Sequence, residues 1–253
     1  MDLGISGKKA LVLASSKGLG KGVAIELARE GVEVMICGRD AKALKSTKAE
    51  IEAIGSAKVH SVQGDLSSTE GRHVIIDAVK RILGSVDILI TNTGGPPPGN
   101  FDDVTLDDWE QAYRLLIESA VGIIKELLPD MKKKGWGRIV SITSMSIQQP
   151  VDGLILSNAV RSTFLGLIKS LSNELAPYNI TVNNVLPGYT NTDRLKNLVK
   201  ANPNFDKAVA TVPMGRIAEV REFAQAVTFL SSDCASYITG VSLPVDGGWI
   251  KGV

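Results

Sequence analysis

The sequence predicts a doubly wound α/β domain, a parallel sheet covered by helices on both faces. Three observations carry that expectation. Short apolar runs of strand length alternate with longer segments of helical period throughout the 253 residues. The stretches between successive runs are long enough to be crossovers, which parallel strands require. No internal repeat, low-complexity tail or linker interrupts the alternation, so a single domain is expected to span 1–253.

The elements follow in order. Ala10–Leu13 is the first apolar run; Ala14-Ser15-Ser16-Lys17-Gly18-Leu19-Gly20 follows and opens a helix through Val23, Ile25, Leu27 and Ala28. Val32–Cys37 is the second run, with a polar helix from Asp40 to about Ile54 behind it. Val59–Gln63 leads through a Gly-Asp turn to a helix from about Thr69 to Leu83, using Val74, Ile75, Ala78, Val79 and Ile82. Val86–Thr91 is the fourth run. The Gly94-Gly95-Pro96-Pro97-Pro98-Gly99 segment after it can be neither helix nor ladder strand. One long helix is expected from Leu106 to about Lys133, with Asp107 and Asp108 at the positive end of its dipole. Arg138–Ile142 is the fifth run, Ser157–Leu175 a helix stopped before Pro177, and Ile180–Leu186 a sixth run ended by Pro187-Gly188. A polar section, interrupted by Pro203 and Pro213, is expected to form a substrate lid over about 193–214. A helix, Val220–Leu230, and a last run, Ser242–Val245, close the chain.

Composition narrows the function. The 28 basic and 27 acidic residues leave a formal charge of +1, and Lys132-Lys133-Lys134 reads as a solvated turn. Nucleic acid and membrane surfaces need a clustered basic face, so neither is expected as a partner. Two cysteines, Cys37 and Cys234, each in a hydrophobic stretch, make neither a disulfide framework nor a zinc site. No His/Cys/Asp/Glu spacing suggests a metal. The start of the chain lacks the pattern of a signal peptide, and no apolar run spans a bilayer, so a soluble cytoplasmic protein is expected.

Ligands of such sheets bind outside the carboxyl ends of the strands. Gly18 and Gly20 would let backbone approach a pyrophosphate, and the helix opening there presents unpaired N–H groups to it. With those residues in place, the chain resembles the short-chain dehydrogenase/reductase family, above all its beta-ketoacyl-acyl-carrier-protein reductase branch, over essentially its whole length. That resemblance implies a Rossmann-type, nicotinamide-binding domain. The family's Thr-Gly-x-x-x-Gly-x-Gly motif falls on Leu13-Ala14-Ser15-Ser16-Lys17-Gly18-Leu19-Gly20, with Ala14 in place of the first glycine. Because Ala14 carries a Cβ, its turn is expected to avoid the conformations that glycine alone reaches easily. Gly64-Asp65-Leu66 resembles the family's acidic turn, which puts Asp65 and Leu66 at the adenine. Thr91-Asn92-Thr93-Gly94 resembles Asn-Asn-Ala-Gly, retaining Asn92 and Gly94, and Pro187-Gly188 with Thr192 resembles the element that holds the nicotinamide amide. The segment from Ser236 to Gly248 resembles the family's C-terminal signature. At the tip of the second strand Cys37-Gly38-Arg39 carries no acid, and Lys17 and Arg39 would converge on a ribose 2′-phosphate. NADP(H) is therefore the expected cofactor, with NAD(H) second.

At the catalytic end the pattern breaks. The resemblance implies a serine and a tyrosine on the substrate carbonyl, a lysine beside the tyrosine and an asparagine holding a water chain. Ser144 occupies the serine position. Ser157 stands for the tyrosine, Arg161 for the lysine and Leu116 for the asparagine, in a Ser-Asn-x-x-Arg element that resembles a divergent reductase-like branch. Ser157 and Arg161, at i and i+4, share one helix face. A serine is less acidic than a phenol and reaches less far, so a bridging water is needed. Arg161 keeps the charge but cannot relay a proton. Tyr189 would lie near the substrate opening, with packing at the pocket wall as its plainer role, and Tyr113 would pack between helices. His60 and His73 are not expected to be catalytic.

Three readings remain open. The first is an NADP(H)-dependent carbonyl/alcohol oxidoreductase, 3-oxoacyl reductase-like, using Ser144, Ser157, Arg161 and water. The second is a catalytically inactive dinucleotide-binding sensor or partner protein. The third is lyase or isomerase work, with Arg161 holding an anionic substrate. A small carbonyl or alcohol is the expected substrate. The resemblance also implies a homo-oligomer, dimer or tetramer, through the helices at about 106–133 and 157–175, with Leu115, Leu116, Val121, Phe164 and Leu167 suited to burial.

Overall fold

The computed structural model of the chain describes residues 1–55, 57–196 and 209–252. Its seven strands are β1 (Lys9–Val12), β2 (Glu33–Gly38), β3 (Val59–Gln63), β4 (Ile88–Thr91), β5 (Gly137–Ile142), β6 (Ile180–Pro187) and β7 (Ser242–Val245). All pair in parallel, in the order β3-β2-β1-β4-β5-β6-β7. The order reverses between β1 and β4, so a crevice opens at their carboxyl ends.

Ala10, Leu11 and Val12 are fully buried, as are Val34–Cys37 and Ile88–Ile90, because helices cover both faces of the sheet. Side chains alternate between two cores. Leu11, Leu13, Met35, Leu89 and Ile139 pack toward α3 (Thr69–Ile82), α5 (Ser119–Lys134) and α6 (Ile155–Leu175). Ala10, Val12, Val34, Ile36 and Ile90 pack toward α1 (Gly18–Arg29), α2 (Ala41–Glu52) and α7 (Val220–Leu230). Asp40 caps α2 by accepting from the Ala43 N–H at 3.0 Å, and Ser68 caps α3 from Gly71 at the same distance. Helix α1 has no side-chain cap.

Four details depart from expectation. The long helix expected from Leu106 is divided into α4 (Leu106–Tyr113), a π-helical turn (Arg114–Glu118) and α5. The Ser119 hydroxyl donates to the Leu115 carbonyl at that turn, and Leu116 sits inside it. On α3 the buried stripe is Arg72, Ile75, Ile76, Ala78 and Val79, whereas Val74 and Ile82 are half-exposed. The helical period turns those two away from the sheet. Cys234 lies exposed in a 3₁₀ turn, not within the core. Leu116 and Phe164 are buried inside the chain, while Leu115, Val121 and Leu167 are only partly covered. Most of the expected lid, residues 197–208, lies outside the described residues. Among the described residues no helix is long and apolar enough to cross a membrane.

Candidate active site

The loop between β1 and α1 is built for close approach. Gly18 has φ +59°, and a Cβ on Gly20 would lie 2.6 Å from the Ala14 carbonyl oxygen and 2.8 Å from Asn92 Nδ2. Asn92 Nδ2 donates to that same Ala14 oxygen at 3.2 Å, pinning the end of β4 to the loop. With no side-chain cap and no acid in its first turn, α1 leaves its N-terminal N–H groups for an anion. Ala14, expected to avoid glycine's territory, has φ +46° and lies in the left-handed region. The loop path is set by its neighbours, and the alanine bears the strain.

Ser15 was expected among the cofactor-binding residues, but its side chain is occupied elsewhere. It is fully buried, donates to the Val12 carbonyl at 2.6 Å and accepts from the Cys37 N–H at 3.0 Å, tying β1 to β2. Leu66 is likewise buried in the core, and Leu19 is partly buried against α1's own core. The Ser16 carbonyl accepts from Thr47 Oγ1 at 2.9 Å. A Cβ on Gly38 would lie 2.9 Å from Ser16 Oγ, so the Ser16 side chain stands over the end of β2.

Around that end, Lys17 and Arg39 are exposed, and each has a carboxylate nearby. Lys17 Nζ is 3.2 Å from Asp40, and Arg39 Nη1 is 4.0 Å from Asp65. The Ala43 N–H and Lys17 hold the Asp40 carboxyl below its ordinary range. Exposed pairs of this kind are worth little, so either cation can turn to a stronger anion. From the other side, Thr192 leans over the loop. A Cβ on Gly18 would be 3.7 Å from its methyl group, and its Oγ1 accepts from the Leu195 N–H at 3.2 Å. Gly188 permits this return, since a Cβ there would lie 2.5 Å from Asp246 Cα.

The positions expected to be catalytic converge through a residue that the sequence reading missed. Ser144 Oγ accepts from the Ser146 N–H at 3.1 Å, and Ser146 Oγ lies 3.4 Å from Ser157 Oγ. Ser157 thus meets Ser144 by way of Ser146, whose alternate spacing after Ser144 was the available signal. The neighbouring Asn158 has a structural task, its amide bonding the Val151 carbonyl at 2.9 Å and the Val151 N–H at 3.3 Å. Arg161 is 7 % exposed and reaches the Gly94 carbonyl at 3.5 Å. Burial, with the charge of Arg194 second, pushes its pKa down to about 10, so it stays cationic at neutral pH. Arg194 was also missed. Its guanidinium lies against Gly95, where a Cβ would overlap both terminal nitrogens.

Leu116 seals the place of the asparagine. Beside it and Arg161 remains a cavity of about 10 Å³, room for one water at most. Tyr189 packs edge-on to Trp249, ring centroids 6.2 Å apart, which is the pocket-wall role. A larger cavity, about 340 Å³, lies beyond it between Met214, Arg216, Glu222 and Asp246, and touches none of the expected catalytic positions. Tyr113 is half-exposed rather than packed between helices. His60 pairs with Glu33 at 2.8 Å.

Comparison with known proteins shows what the whole chain is similar to. A family model described as Enoyl-(Acyl carrier protein) reductase matches residues 13–250. The 3-oxoacyl-[acyl-carrier-protein] reductase of Aquifex aeolicus is 33% identical, over 98% of this chain and 99% of its own. The NADPH-dependent reductase BacG of Bacillus subtilis is 30% identical, over 98% and 100%. The crystal structure of L-sorbose reductase from Gluconobacter frateurii, complexed with NADPH and L-sorbose, superposes with a TM-score of 0.94 at 29% identity, covering 100% of both chains.

Proposed function

The chain belongs to the short-chain dehydrogenase/reductase family, and on that premise we propose an NADP(H)-dependent oxidoreductase acting on a small carbonyl or alcohol. Its substrate face is built of serines and arginine. The observation that carries this reading is the cradle at Gly20 beneath the uncapped N-terminus of α1, which a single Cβ would fill. Gly18, Leu19 and Gly20 would hold the pyrophosphate by backbone N–H groups, and Lys17 and Arg39 the 2′-phosphate. Asp65 would lie at the adenine, and Asn92, Gly94, Pro187, Gly188 and Thr192 around the nicotinamide half. When bound, the cofactor supplies or takes up the hydride.

The chain's own residues bind and polarise the carbonyl. Ser144 and Ser157 offer hydroxyl donors to its oxygen, and Ser146 holds Ser157 in place. Arg161 stabilises negative charge developing on that oxygen without giving up its proton, because its pKa of about 10 stays above neutral pH. The proton that completes the alcohol comes from water through the hydroxyls, since Leu116 closes the route on the other side.

Fluorescence titration with NADPH, followed by NADPH oxidation across a carbonyl panel, tests the reading. The expected result is NADPH bound more tightly than NADH, with turnover of at least one carbonyl that falls about 100-fold in Ser144→Ala, the scale of one lost oxyanion donor. Tight NADPH binding without turnover of any carbonyl would leave the inactive sensor as the better description.

A further inference from the structure

We propose that Arg161 and Arg194 form a clamp for an oxyanion, so that the carbonyl substrate carries a carboxylate or phosphate group of its own. This rests on the oxidoreductase reading and names its substrate class.

The other buried arginines set the standard. Arg72 donates to the Leu66 carbonyl and Thr69 and pairs with Glu118. Arg138 donates to three backbone carbonyls, reaches Asp233 at 3.3 Å and lies over the Trp136 ring. Each buried guanidinium is thus matched by a carboxylate, as the cost of burying charge requires.

Arg161 breaks that rule. It is as buried as Arg72, yet its hydrogen bonding among the described residues is one 3.5 Å contact to Gly94, with no carboxylate in ion-pair range. Its surroundings make the deficit larger. Arg194, exposed in the helical turn at 193–196 after β6, brings a second guanidinium to the adjacent residue, Gly95, with no carboxylate partner among the described residues. Two cations converge on one glycine pair, and the buried Arg161 is held below the ordinary arginine pKa, first by burial and second by the charge of Arg194.

A neutral carbonyl cannot offset a standing charge of this kind, because its oxygen becomes negative only during reaction. An anion present throughout can. The pyrophosphate and 2′-phosphate of the cofactor are expected at Gly18–Gly20 and at Lys17 with Arg39, which leaves these two forks for the substrate. Guanidinium forks suit planar carboxylates and phosphates alike. Ser157 lies one helical turn from Arg161, so carbonyl and oxyanion would sit a few bonds apart, as in a short oxo acid or a phosphorylated ketone.

Matched probes test the clamp by binding, independent of turnover. Thermal shift of the chain, alone and with NADP⁺, is measured with acetoacetate against methyl acetoacetate, and with dihydroxyacetone phosphate against dihydroxyacetone. At least one charged probe should stabilise the chain while its neutral twin does not, and the stronger pair tells carboxylate from phosphate. Affinity for that probe should fall at least tenfold in Arg161→Gln and in Arg194→Gln, with partial recovery in Arg194→Lys. If Arg161→Gln does not fold, the exposed position of Arg194 makes its variants decisive. Equal shifts from charged and neutral twins, no shift from either, or undiminished affinity in Arg194→Gln would overturn the clamp. A charged-probe shift without any NADP(H) binding would instead keep the clamp and remove the oxidoreductase reading.

Discussion

Ala14 holds a glycine's conformation with an alanine's side chain. A left-handed L-residue costs about 1–2 kcal/mol, offset in part by the backbone entropy that alanine spares. Ala14→Gly should therefore stabilise the chain by about 0.5–1 kcal/mol, seen as a higher urea midpoint at unchanged slope. A lower midpoint would mean that the loop relaxes around the alanine. The two thiols give a second expectation. Burial pushes Cys37 up to about 12, although a backbone N–H partly opposes it, whereas Cys234 is exposed. Ellman's reagent at pH 8 should modify one thiol per native chain and two after denaturation. Between pH 9 and 12 the unfolded Cys37 releases its proton while the folded one retains it. The folded state then binds more protons, so this contribution to stability falls as pH rises through that window. Fast modification of both native thiols would contradict the burial.

Among the elements, α6 is organised by Asn158 as much as by the face that carries Ser157 and Arg161. Its amide fastens the segment around Val151, which leads from Ser146 into the helix that carries Ser157 and Arg161. Asn158→Ala removes two hydrogen bonds and should cost about 1–2 kcal/mol, with kcat falling more than NADPH affinity. A variant of wild-type melting temperature and kcat would show the amide to be dispensable. The same helices mark the limits of sequence reading. Gly18, Gly20 and the alternating runs were legible because turn chemistry and periodicity are local. The π-turn around Leu116 was not, since widening a helix by one residue barely alters its apolar spacing. Nor was the Arg194 contact, which exists only once the helical turn at 193–196 lies across Gly95. Ser15 sits in the expected loop, yet its hydroxyl serves β2, the strand paired with β1.

For the whole molecule, the cofactor is expected to act as a stabiliser. A ligand at 100 times its Kd adds about 2.7 kcal/mol to the native state, worth roughly 5–10 °C in a chain of this size. NADPH should raise the melting temperature more than NADH at equal concentration, and Arg39→Ala should bring the two shifts together. Equal shifts in the unaltered protein would shift the preference away from NADP(H). That preference was read from a missing acid and two cations, and the exposed Lys17–Asp40 and Arg39–Asp65 pairs leave both cations able to rearrange.

The place of β1 between β2 and β4 sets an order of assembly. Its first neighbour, β2, is made soon after it, with Ala10 beside Val34, but its other edge waits for β4, where Ala10 meets Ile88. Asn92 then locks onto Ala14 across 78 residues of chain. A polypeptide emerging from the ribosome can therefore complete the β1-to-β4 half of the sheet, glycine loop included, while Ser144, Ser157 and Arg161 are still unmade. Such long-range parallel pairing is slow, and slow steps expose unpaired edges. At that stage the expected dinucleotide site would have its pyrophosphate and adenine side in place, while Pro187, Gly188 and Thr192 would still be missing.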